Sequence, residues 1–250
     1  MLVDGGKLAP VSRVREVHCP PGGTMIALLL TAALAVDPAP TAPAEPVVEE
    51  PVADEASGPV TYDLQSDSGR LYVLVRYKRG TLGSGLAHDH VVVASGWSGE
   101  VTWDADNLAA CQVSIDVPVS GLVVDPGSAR SWEGLEGSTP DDDKETIRSN
   151  FRGDRQLDME NHPQIRFRST ACSPADGDRV NVSGDLTIHG MSHRVTVPMN
   201  IRLNDGRFGA TGRFDANHGD FGMRPFSAAF GAVKNDERLS FVVDVTGAPR

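Results

Sequence analysis

From Pro163 to Leu203 apolar and polar residues alternate with a period of two. Ile165, Phe167 and Ser169 stand opposite Arg166, Arg168 and Thr170. Val180, Val182, Leu186 and Ile188 fall on one parity, and Val195, Val197, Met199, Ile201 and Leu203 share a face opposite Arg194, Thr196, Asn200 and Arg202. Successive side chains on a strand point to opposite faces, so this period marks half-buried strands rather than helix. Turn residues at Ala175-Asp176-Gly177-Asp178 and His189-Gly190-Met191-Ser192 separate the runs. The pattern predicts three antiparallel strands over 164–170, 180–189 and 194–203, with one apolar and one wet face.

The same signal recurs from Val60 onward. Leu71, Val73, Val75 and Tyr77 alternate with Tyr72, Leu74, Arg76 and Lys78, a valine-rich run spans His88–Ala94, and Trp97–Trp103 follows a Ser95-Gly96 break. Cys111, Val113, Ile115, Val117 and Val119 form a five-position alternation. Phe208, Ala210 and Phe214 share a parity, and Leu239, Phe241, Val243 and Val245 close the chain. Eight to ten strands follow, with turns such as Asn204-Asp205-Gly206 and Lys234-Asn235-Asp236. One insertion, between Gly121 and Pro163, breaks the alternation. Pro140-Asp141-Asp142-Asp143 supplies the acids of a helix start, and Ile147 and Phe151 stand four apart. This predicts a short helix over about 141–152, packed by that pair across one end of the domain. Many short antiparallel strands with one apolar face close as a sandwich or a barrel, and pattern alone does not separate the two.

Composition changes the picture mainly at the N-terminus. Residues 25–35 form an uncharged apolar run ending Ala33-Leu34-Ala35, with Lys7, Arg13 and Arg15 upstream. This is the pattern of a signal peptide over 1–35, with Met25 as an alternative start; the run falls short of the roughly 20 residues that span a bilayer. Cys19 lies upstream of the run, so it is not placed as a lipid-anchor cysteine. Residues 36–59 hold six prolines and the acids Asp37, Glu45, Glu49, Glu50, Asp54 and Glu55, without Lys or Arg. That composition describes a semi-extended tether, ahead of one folded domain over 60–250. The expected location is periplasmic or secreted. A formal charge of −11 argues against a nucleic-acid partner, which needs a basic face.

Three stretches carry a family resemblance: "PQIRFRST" at 163–170, "VNVSGDLTIHG" at 180–190 and "HRVTVPMNIRL" at 193–203. In residue type, order and spacing they resemble the core of the YceI-like, polyisoprenoid-binding proteins, and "DFGM" at 220–223 and "NDERLSFVVDV" at 235–245 resemble that family's closing strands. The resemblance covers about residues 60–247. It implies an all-β, antiparallel lipocalin-like β-barrel of about eight strands with a short helix in one long connection. It also implies a small amphiphilic lipid, an isoprenoid or similar chain, along the barrel axis, with no other cofactor. The expected wall is Val73 and Val75; Val113, Ile115 and Val117; Ile165 and Phe167; Val182, Leu186 and Ile188; and Val195, Val197 and Met199. A peripheral encounter with a membrane goes with such cargo. The alternative is an interior filled by its own side chains, leaving a structural or interaction module.

Catalytic motifs are scarce. The sequence has no G-x-S-x-G, H-E-x-x-H or C-x-x-C, and no Gly-rich phosphate loop ahead of a helix; the expectation is a binding protein rather than an enzyme. The local motif with chemistry is His88-Asp89-His90, where the family pattern has a more apolar strand. At i and i+2 on a strand both imidazoles would address one metal ion, zinc for a binder or a hydrolase, with His189, His193 and His218 as candidate further ligands. The alternative is one imidazole on the backbone and the other in solvent. Cys111 and Cys172 remain after leader removal, and in an exported chain they are candidates to pair. Parity opposes the pairing unless a bulge near Ser169–Ala171 shifts the register.

Overall fold

The computed structural model describes residues 58–83, 85 and 87–250. The expected signal peptide over 1–35 and all of the expected tether but Gly58 and Pro59 lie outside the described residues. The described residues form eleven strands: β1 (Val60–Tyr77), β2 (His90–Ala94), β3 (Ser98–Trp103), β4 (Gln112–Pro118), β5 (Leu122–Val124), β6 (Gln164–Pro174), β7 (Arg179–Ile188), β8 (Met191–Asn204), β9 (Arg207–Asn217), β10 (Ser227–Ala228) and β11 (Val233–Pro249). Two helices, α1 (Ala129–Trp132) and α2 (Asp141–Arg152), interrupt them. Every pairing is antiparallel, and β11 joins β1, so β1, β3, β4, β6, β7, β8, β9 and β11 close an eight-stranded barrel. Closure removes the sheet edges that an open sheet would leave unpaired.

β1 makes one half of this barrel unlike the other. Its register against β11 shifts between Leu64 and Gly69. Ahead of that shift, Val60–Gln65 pair with β3; beyond it, Tyr72–Val75 pair with β2. β2 in turn pairs with β5, which ends the sheet on that side. The wall of the second half therefore lacks a strand between β5 and β6, and α2 packs against β5 there. α2 occupies the residues the Pro140-Asp-Asp-Asp signal predicts, and its acids at 141–143 sit in the first turn, where they complement the helix dipole.

Alternation on β7 follows the expected parity throughout, with Val180, Val182, Leu186 and Ile188 buried. On β8, Val195, Val197 and Met199 are buried, whereas Leu203 is exposed because the strand runs past the barrel end toward the Asp205-Gly206 turn. β1 departs from the simple two-face reading. Leu74, on the parity expected to be wet, is buried with Val91 and Ala129 in a second small core outside the barrel, flanked by Tyr72, Val93, Trp132 and Leu135. The segment holding α1 folds back over this face, so both sides of β1 are covered. Cys111 and Cys172 are joined in a disulfide, and the β6–β7 register shifts between Ser169 and Ala171, the place where parity required it.

Candidate functional site

The barrel interior divides across its length. In the half where β1 pairs with β3, Tyr62, Leu64, Val101, Trp103, Phe208 and Val245 are buried and pack against one another, with the Phe208 ring 5.5 Å from Tyr62 and 6.0 Å from Trp103. Only about 70 Å³ of space remains among these side chains. In the other half a cavity of about 810 Å³ opens. Ile115, Phe167 and Val243 border both spaces and so form the floor between them. Gly184 makes room for that floor: a Cβ there would lie 2.6 Å from the Phe167 ring.

Eight of the thirteen residues expected on the wall line the large cavity: Val73, Val75, Ile115, Val117, Ile165, Phe167, Leu186 and Ile188. The other five do not. Val113, Val182, Val197 and Met199 border the small space in the filled half, and Val195 lies in the packed core. The physical reason is that each strand crosses both halves, so residues of one parity share a face without sharing a neighbour across the barrel. Three further walls lie outside the residues expected to meet a ligand. β11 contributes Phe241 and Val243, and β9 contributes Phe214, which stacks on Phe241 at 4.8 Å. α2 contributes Ile147 and Phe151, whose spacing was visible in the sequence.

Polar groups gather where β2, β5 and the segment after α1 meet the cavity. β2 starts at His90, so His88 lies ahead of the strand and is exposed; both histidines border the cavity. His90 Nδ1 lies 2.7 Å from Oδ2 of Asp125, whose side chain is fully buried. Burial alone would raise the Asp125 pKa. Hydrogen bonds from His90, from the Thr139 hydroxyl at 2.6 Å and from the Val91 N–H at 2.8 Å outweigh it and lower the pKa to about 2. An ionised carboxylate only accepts, so His90 Nδ1 carries the proton and Nε2 is the nitrogen left for a ligand. Arg130 also reaches Asp125 and donates to the carbonyls of Asp89, Glu136 and Gly137. The network thus fixes the 136–139 segment beside the cavity. Asp125, Arg130 and Thr139 carry no sequence motif, because their partners lie on other segments.

His218 also lines the cavity, buried at 3 % exposure. Its Nδ1 donates to the Glu237 carbonyl at 2.9 Å, which again leaves Nε2 for a ligand. His189 and His193 do not join His88 and His90: His193 lies 3.9 Å from Asp220, and His189 sits in the β7–β8 turn beside His162. The arrangement is a long apolar chamber with a few fixed polar groups, the design of a small-molecule binding site.

A closed antiparallel barrel with one hollow half defines a lipocalin-like binding fold. The model of the YceI-like domain matches residues 81–245, and the chain belongs to that family. UPF0312 proteins of Pseudomonas putida strains W619 and GB-1 are each 26% identical over 159 residues, which covers 61% of this chain and 72% of theirs. Among solved structures, BcnA of Burkholderia cenocepacia superposes with a TM-score of 0.51 at 18% identity, over 70% of this chain and 95% of that one, a likeness of fold.

Proposed function

We propose that this protein is an exported carrier that holds one elongated amphiphilic lipid, an isoprenoid or similar chain, in the hollow half of its barrel, and that it acts by binding rather than catalysis. The observation that carries the reading is the cavity of about 810 Å³ walled by Val73, Val75, Ile165, Ile188, Phe214 and Phe241. Its volume falls in the upper part of the roughly 300–1,000 Å³ range of small-ligand pockets. Apolar side chains left facing an open chamber keep their burial energy, about 25 cal/mol per Å², available to a guest. The Nε2 atoms of His90 and His218 would meet the polar end of the amphiphile, and hydrogen bonding there would orient it.

Leu82 and Phe230 support an encounter with a membrane. Both side chains are fully exposed, at 101% and 113% of reference, and Ala229 and Phe230 have left-handed backbones (φ 48° and 55°). Their loops are joined by the Gly83 N–H donating to the Ala232 carbonyl at 2.9 Å, and the flanking Ala87, Phe226 and Val233 line the cavity. Two apolar side chains beside the chamber suit a carrier that collects cargo from a bilayer. The test is organic extraction of protein purified from a membrane-bearing host, followed by mass spectrometry. One chain-like lipid per protein is expected, and Ile188→Asp should reduce it severely while circular dichroism confirms the fold. Protein that carries no lipid, and takes up none when offered isoprenoids, would refute the proposal.

A further inference from the structure

Asp158, His162 and His189 are the one group of three or more His, Cys, Asp or Glu residues among the described residues whose ligand atoms converge, all within 4.8 Å of one another. They come from two separate segments. Asp158 and His162 lie in the loop after α2, bridged by the His162 N–H donating to the Asp158 carbonyl at 2.7 Å, one helical turn apart. His189 occupies the first position of the two-residue β7–β8 turn.

Each donor is held. His189 Nδ1 lies 3.3 Å from the Phe221 carbonyl, which can only accept, so Nδ1 carries the proton and Nε2 presents its lone pair. Asn161 Nδ2 donates to both oxygens of Asp158, at 3.0 and 2.9 Å, and fixes the carboxylate plane. Gly190 lets the third donor approach: a Cβ there would stand 2.4 Å from His162 Cε1, and its φ of +72° also favours glycine. Asp158 (φ 44°) and His189 (φ 52°) both lie in the left-handed region, which aspartate and histidine enter more readily than most residues, and His189 with Gly190 makes the two-residue hairpin turn. An edge-on imidazole pair, with ring centroids 5.3 Å apart, would account for His162 and His189 alone. It does not account for the carboxylate oriented onto the same point.

We propose that Asp158, His162 and His189 bind a divalent transition-metal ion, with zinc the best match. Two neutral imidazoles and a carboxylate are a borderline donor set that zinc accepts, and three protein ligands leave a fourth position open. Zinc at about 2.1 Å from each donor would place the ligand atoms roughly 3.4 Å apart, so binding requires them to draw together from their present spacing of up to 4.8 Å. The site is independent of the lipid reading. Asp158 directly follows Leu157 and His189 directly follows Ile188, both cavity-wall residues, so the ion would sit at the margin of the chamber.

Isothermal titration of metal-stripped mature protein with Zn²⁺ tests this. The wild type should bind one equivalent and unfold at a higher temperature with zinc than with chelator. Asp158→Asn and His189→Asn are chosen because asparagine tolerates a left-handed backbone. Each should melt with the wild type in chelator, yet lose both stoichiometric binding and the zinc-dependent rise. Asn161→Ala should weaken binding by about 10-fold, the usual cost of a lost supporting contact. A His88→Ala variant should bind zinc as the wild type does. A wild type without stoichiometric zinc, or Asn variants that bind zinc unchanged, would overturn the proposal.

Discussion

The filled and hollow halves of the barrel are made from continuous strands of the same alternating pattern, yet they do different work. In the filled half, Phe208 packs against Tyr62 and Trp103, and the disulfide joins the residue just ahead of β4 to the end of β6. In the hollow half the facing side chains include valines at 73, 75 and 117, and a helix without a single fully buried side chain stands in for a missing strand. The rings of Tyr62, Trp103 and Phe208 pack into one another and leave little space, whereas Phe214 of the hollow half stacks on Phe241 of the paired strand, along a single wall, and leaves the chamber in front of it open. The filled half supplies stability, and the hollow half uses little of it.

The largest expected contrast comes from truncation. Phe208→Ala in the filled half should cost about 3–5 kcal/mol by denaturant unfolding, since it removes a buried ring and leaves a cavity. Val75→Ala in the hollow half should cost under about 1 kcal/mol, because the lost methyls already face open space. Equal losses would erase the distinction between the halves.

The disulfide is the next largest effect. It closes a loop spanning 61 positions, and the chain-entropy model assigns about 4 kcal/mol to a loop of that length. Unfolding midpoints of the oxidised protein and of a Cys111→Ser, Cys172→Ser variant measure it. Thiol titration of the unreduced, denatured protein should detect neither cysteine, and two free thiols would refute the pairing.

Asp125 stands behind the hollow half, at the centre of the polar network beside the cavity. Its folded pKa of about 2 lies below the ordinary value of 3.8, so its contribution is complete above the unfolded pKa and is lost as pH falls through the folded one. That contribution is about 2 kcal/mol at neutral pH. Asp125→Asn should lose it at pH 7, and its stability should vary less than that of the wild type between about pH 4 and 2. Parallel acid-unfolding curves for the two proteins would contradict this.

Cavity filling should give the smallest change in stability. Val75→Trp in the hollow half has room for its ring and should alter stability by under about 1 kcal/mol, whereas Val197→Phe in the filled half should cost about 1–3 kcal/mol by overpacking. Thermal melts of the two variants compare them directly.

Much of this was legible in the amino-acid sequence. Period-two alternation located β7 and β8, and Pro140 with three aspartates located α2 almost to the residue, because both signals are local. The barrel closure came from the family resemblance rather than from pattern. Unreadable were the features set by what lies across space. Val197 and Ile188 alternate alike, yet one packs in the filled half and the other lines the chamber. Leu74 looked wet until the α1 segment covered it. Asp125 serves a histidine 35 positions away, and His189 joins Asp158 and His162 rather than the more conspicuous His88 and His90.

The central claim is that the hollow half alone takes a lipid, and native mass spectrometry of delipidated protein offered a long-chain isoprenoid tests it most directly. The wild type should gain one lipid per protein, Val75→Trp should gain none while remaining folded, and a conservative change in the filled half, Val182→Ile, should bind as the wild type does. Uptake by Val75→Trp equal to that of the wild type would place the lipid elsewhere and contradict the account.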